Sequence, residues 1–181
     1  MKSKNLKPSR LFLISFLWKL LPPSRFHNLK ARTLRWAGAT VGKNVRIMSS
    51  AKFYGDYELI IGDNVFIGHE ALIYGSAGSK IVLENYCKVA SRAIIATGYH
   101  VYSAEGPCVS GKGLAADVIV KEGALVGTMA MVLPGKTIGK MSHVASYALV
   151  THDTPEYTRV AGIPARVVKN YLDDLDTNKT E

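Results

Sequence analysis

No acidic residue occurs before Asp56, and only two cysteines occur in 181 residues. Cys87 and Cys108 form no motif, so a disulfide framework is disfavoured and both read as reduced thiols of a cytosolic protein. A membrane-spanning run is lacking as well. The apolar stretch 11–21, LFLISFLWKLL, falls short of the roughly 20 residues a bilayer demands. Lys19 interrupts it, and Pro22-Pro23-Ser24-Arg25 stands where a signal peptide would place small residues, which argues against a secretory leader.

The absence of early acids makes the charge lopsided. Residues 1–46 carry eleven Lys/Arg and no acid. The rest carries twelve basic and fourteen acidic residues, so the net +9 belongs to the N-terminus and the body is slightly acidic. A nucleic-acid partner would want a basic face on the folded body, so that class is disfavoured. For the N-terminal segment two readings stand. One is a helix lying on an anionic membrane, with Phe16 and Trp18 buried. The other is a helix packed on its own or a neighbouring subunit. A second helical piece, roughly 26–37, contains Leu29, Leu34 and Trp36, and Gly38 is a plausible stop.

What the chain does have is a period of six. Val120, Val126, Val132, Ile138, Val144 and Val150 follow one another at that spacing. Earlier triplets share it: Val41, Ile47 and Phe53; Ile61, Ile67 and Ile73; Leu83, Val89 and Ile95. Four residues after each comes a mostly small side chain, such as Ala71, Ala93, Ala124 or Ala148. Six is neither a helical nor a simple strand period. It predicts a parallel β-helix in which each hexapeptide makes one side of a triangular coil. Three hexads make one coil, giving five coils at about 41–58, 61–78, 83–100, 120–137 and 138–155. A sandwich of short strands would not hold the period.

The pattern resembles the hexapeptide-repeat acyltransferases of the maltose/galactoside acetyltransferase type and their capsule or exopolysaccharide relatives. Three features carry the resemblance beyond the hexads. Thr97-Gly98-Tyr99-His100 matches the segment with the family's catalytic histidine. A Gly- and Ser-rich insertion, 101–119, follows it. The segment 160–169, VAGIPARVVK, matches the family's C-terminal signature. The resemblance implies an all-β fold, a left-handed parallel β-helix, with a helical segment at 1–40, the β-helix at 41–155, and a signature segment, short helix and tail at 156–181.

It also implies a chemistry. His100 would be the general base that lets a sugar hydroxyl attack acetyl-CoA directly, a role suited to an imidazole. Thr128 stands where the family has a serine that donates to the oxyanion, and Leu125 replaces a customary Trp nearby. Gly127, Ser146, Thr151, Arg166 and Lys169 fall at the family's CoA contacts. The co-substrate is acetyl-CoA, no metal is required, and the copies form a homotrimer. The acceptor side matches less well. The stretch Gly75-Ser76-Ala77-Gly78, with Gly68 and His69, lies where galactoside-type enzymes hold sugar, and the N-terminal maltose-acetyltransferase domain is missing. The expected acceptor is therefore a polysaccharide or its precursor, met in the cytoplasm or at the cytoplasmic membrane face. Two alternatives share the fold. A γ-type carbonic anhydrase needs a close histidine pair that His27, His69, His100, His143 and His152 do not provide. A non-catalytic scaffold would have no use for the segments at His100 and 160–169.

Overall fold

The computed structural model describes residues 5–173. Two helices, α1 (Pro8–Lys19) and α2 (His27–Ala37), precede a parallel β-solenoid. Its first coil holds β1 (Thr40–Val41), β2 (Arg46–Ile47) and β3 (Lys52–Gly55). The second holds β4 (Glu58–Ile61), β5 (Phe66–Ile67) and β6 (Leu72–Gly75), and the third β7 (Lys80–Leu83), β8 (Lys88–Val89) and β9 (Ile94–Ala96). An antiparallel hairpin of β10 (Gly98–Tyr102) and β11 (Ser110–Ala115) then leaves the solenoid. The fourth coil holds β12 (Val118–Val120), β13 (Leu125–Val126) and β14 (Met131–Val132), and the fifth β15 (Thr137–Ile138), β16 (His143–Val144) and β17 (Leu149–Val150). A second hairpin, β18 (Thr158–Ala161) and β19 (Arg166–Asn170), closes the far end.

The six-residue period becomes three stacked sheets. Val41, Ile61, Leu83, Val120 and Ile138 pair in succession on the first. Ile47, Ile67, Val89, Val126 and Val144 pair on the second. Phe53, Ile73, Ile95, Val132 and Val150 pair on the third. All fifteen are buried and form the axial core. The stack runs further than the spacing of six suggests. Thr154 bridges to Ile138 and Val160 pairs with Val144, opening a sixth coil. A four-residue step from Val150 to Thr154, and a threonine in place of an aliphatic, hide it in the sequence.

Corners turn through left-handed residues three positions after the inward aliphatic. Asn44, Asn64, Glu70, Tyr86, Arg92, Met129, Met141 and Tyr147 all have positive φ there, and Gly123 and Gly135 do the same. The next residue points inward, as Val65, Ala71, Cys87, Ala93 and Ala124 do, all with no exposed surface. Tyr57 is a large exception. It is fully buried, and its hydroxyl donates to the Ile73 carbonyl at 3.0 Å. Ala77, expected at an inward corner, is instead exposed, because residues 76–78 bulge outward and buried Ser79 follows them.

The helices seal the open end of the first coil. Leu11, Ile14 and Trp18 of α1 face inward, and the Trp18 ring meets Phe53 edge-on with centroids 6.0 Å apart. Polar caps complete the seal. The Ile47 N–H donates to His27 Nδ1 at 3.2 Å, and the Ile47 carbonyl accepts from buried Lys30 Nζ at 2.9 Å. Arg35 donates to the carbonyls of Val41 and Gly42. These bonds cover the exposed backbone of an edge that would otherwise recruit another strand. At the other terminus, residues 158–170 form a hairpin and a helical turn begins at 171–173; the rest of the expected C-terminal helix and tail lies outside the described residues.

Candidate active site

The 24 residues between Ile95 and Val120 interrupt the period, and the structure turns most of them into the β10–β11 hairpin. His100 sits on the hairpin itself, third in β10 and opposite Gly113. The imidazole packs beside Gly113, where even a Cβ would be in ordinary contact, 3.6 Å from His100 Cε1.

The ring is held by the backbone. His100 Nδ1 lies 3.0 Å from the Gly111 carbonyl oxygen. A carbonyl can only accept, so Nδ1 carries the hydrogen and Nε2 keeps its lone pair. The hairpin thus sets the tautomer that a base requires. His100 faces an open groove lined by Tyr74, Ser76, Gly78, Tyr99 and Leu114, among others. Ser76, Ala77 and Gly78 are therefore brought beside His100 in this groove.

A buried threonine joins the two walls of this groove. Thr97, at the root of the hairpin, accepts from the Ser76 amide at 3.1 Å and lies 2.7 Å from Ser79 Oγ. Ser79 Oγ in turn donates to the Ser76 carbonyl at 2.6 Å. Neither Ser79 nor the Gly111 carbonyl was identified from the sequence. A polar residue at a buried inward position, as at Thr97, is a signal that could have found them.

The remaining candidates fall at two other places. Thr128 and Ser146 occupy the same corner in successive coils, since Val126 pairs with Val144 and the Tyr147 amide donates to the Thr128 carbonyl at 2.9 Å. Both side chains are exposed. Gly127 allows these coils to approach: a Cβ on it would lie 2.7 Å from the Ser146 amide nitrogen. This corner and the root of the His100 hairpin lie at opposite ends of the third sheet, one side of the triangular coil apart. Thr128 and Ser146 are not among the residues that line the His100 groove.

Thr151 follows β17 at the corner from which, two coils earlier, the His100 hairpin departs, roughly 10 Å along the axis. Its Oγ1 is 2.9 Å from His152 Nδ1. His152 in turn lines a second groove with Asp153, Ala165 and Arg166. Arg166 and Lys169 stand on strand β19, and Lys169 Nζ lies 5.8 Å from the Tyr171 ring centroid. Neither thiol sits in the His100 groove. Cys87 is buried, bonds to the Val120 and Lys121 carbonyls, and burial pushes its pKa up to about 12; Cys108 is exposed on the hairpin loop. Among the described residues, no three His, Cys, Asp or Glu form a metal-binding group.

No family model matches the chain. WcaF of Escherichia coli, provisionally named a colanic acid biosynthesis acetyltransferase, is 25% identical over 158 residues, covering 87% of this chain and 82% of its own. A hexapeptide-repeat acetyltransferase of Vibrio cholerae, solved with acetyl-CoA, superposes with a TM-score of 0.73 at 19% identity, over 91% of this chain and 86% of that one. AntD, an N-acyltransferase from Bacillus cereus solved with dTDP and 3-hydroxybutyryl-CoA, superposes with a TM-score of 0.61 at 20% identity, over 78% and 79%. At such identities the solved structures establish a common solenoid fold.

Proposed function

We propose that this chain, which has the hexapeptide-repeat acetyltransferase fold, moves the acetyl group of acetyl-CoA to a sugar hydroxyl of a polysaccharide or its precursor. The observation that carries the reading is His100 with Nδ1 tied to the Gly111 carbonyl and Nε2 left as a base in an open groove. Similarity to WcaF supports a polysaccharide acceptor.

In this mechanism Nε2 takes the proton of the acceptor hydroxyl as its oxygen attacks the thioester carbonyl. The tetrahedral intermediate collapses to the acetyl ester, and the imidazolium returns the proton to the departing CoA thiolate. Positioned acid–base catalysis of this kind contributes about 10²- to 10⁴-fold. No acyl-enzyme is needed, and a thiol as deeply buried as Cys87 makes a poor nucleophile. Thr151 and Arg166 hold CoA along the His100 corner, with Arg166 and Lys169 meeting its phosphates. Gly127, Thr128 and Ser146 lie about a sheet's width away, so they serve a His100 supplied by another copy in a homotrimer, with Thr128 as an oxyanion donor.

The likeness to AntD favours a second reading, transfer to an amine of a nucleotide-linked sugar. Incubation with acetyl-CoA and a panel of sugars and amino sugars, read as free thiol, separates the two. Thiol release with hydroxyl acceptors that falls at least about a hundredfold in His100→Ala, with CoA binding retained, is the expected result. Release confined to amino sugars would assign N-acylation. Equal release by His100→Ala would remove His100 as the base.

A further inference from the structure

Helix α1 carries apolar side chains on two faces, and the solenoid covers only one of them. Leu11, Ile14 and Trp18 are buried against the first coil. On the opposite half Phe12, Leu13, Phe16, Leu17 and Leu20 form a stripe at spacings of one, four, five and eight, and Phe12, Phe16 and Leu20 are 73, 65 and 72% exposed. A contiguous exposed stripe of large apolar side chains on a helix marks a surface that meets an apolar partner. Nothing in the described chain covers this stripe.

Its surroundings say what does. On a helical wheel Lys19 and Arg10 border the stripe on either side. Arg10 also lies 4.6 Å above the Trp36 ring and donates to the Trp36 carbonyl, which carries the patch onto α2, where Trp36 is exposed. Lys7, Arg25 and Arg32 are exposed nearby, and no acidic residue occurs before Asp56. A second copy is a poor occupant, because two such faces would bring together two segments with eleven basic residues and no acid each. Insertion across a bilayer is ruled out by length: twelve helical residues span about 18 Å, and among the described residues no helix is long and apolar enough to cross.

We propose that the exposed face of α1 docks on an anionic lipid surface, with Phe12, Leu13, Phe16, Leu17 and Leu20 in the acyl boundary and the flanking Lys and Arg at the headgroups. An aromatic and aliphatic stripe edged by cations is the composition of an interfacial helix. The solenoid would then stand on the membrane by the end that α1 and α2 seal. The inference does not depend on the acetyl-transfer reading.

Sedimentation of the full chain with vesicles of phosphatidylglycerol mixed into phosphatidylcholine, and of phosphatidylcholine alone, tests it. The bound fraction should be at least about tenfold higher on the anionic vesicles, and should fall steeply at high salt. The double variant Phe12→Asp, Phe16→Asp should abolish binding while keeping its melting temperature, because both side chains point away from the packed half of α1. No sedimentation of the unaltered chain with anionic vesicles would overturn the proposal. So would a variant that binds as well as the parent. A variant that instead dissociates a larger assembly would show that another copy covers the stripe, and would also overturn it.

Discussion

At the scale of single residues, the decisive group is a backbone carbonyl. The Gly111 carbonyl sets which nitrogen of His100 is free, so the proposed base depends on an atom no side chain supplies. That dependence explains what was and was not legible. His100 could be found because it ends a motif at the break in the period. Its partner could not, because any residue at 111 has a carbonyl. A second histidine gives a pH test away from the groove. His143, on β16, has its pKa lowered by burial and then by Arg159. The folded state therefore resists protonating it, and the unfolded chain binds that proton more readily. Stability should thus decline as pH falls below about 6.5, the unperturbed value, until the folded group also titrates. Replacing His143 with Asn should flatten that part of the decline in melting temperature between pH 7 and 5. An unchanged slope would mean that other groups carry it.

At the scale of elements, the solenoid was readable because its constraint is periodic. One inward position in six must be a large apolar residue, and fifteen such positions, fourteen aliphatic and Phe53, stack in register. The corners were less readable. Their left-handed residues range from Asn44 to Tyr86 and Arg92, so side-chain type does not announce them. The same holds for Thr154 and Val160, whose shortened step breaks the count. Glycines that follow the aliphatic are more telling. At Gly127 an added Cβ would meet the Val144 carbonyl oxygen at 2.6 Å and the Ser146 nitrogen at 2.7 Å, both backbone atoms that cannot rotate aside. Gly127→Ala should therefore cost about 1–3 kcal/mol, as overpacking does, visible as a lower urea midpoint. A neutral substitution would mean that the coils can separate locally without loss.

At the scale of the whole molecule, the candidate groups are divided between two edges of the third sheet. His100, Thr151 and the Arg166 groove share one edge, and Thr128 and Ser146 share the other. In the proposed mechanism a complete site would take its histidine from one copy and its far corner from the next, as a closed ring of copies would allow. The measurement that tests this most directly mixes two defective chains. His100→Ala lacks the base, and Ser146→Trp fills the exposed corner without disturbing the core. Each alone should release almost no thiol from acetyl-CoA in the presence of acceptor. Co-assembled in equal amounts, they should recover about a quarter of the parent activity, because one site in four pairs an intact histidine with an intact corner. Mixed assemblies as inactive as either variant alone would contradict a site shared between copies.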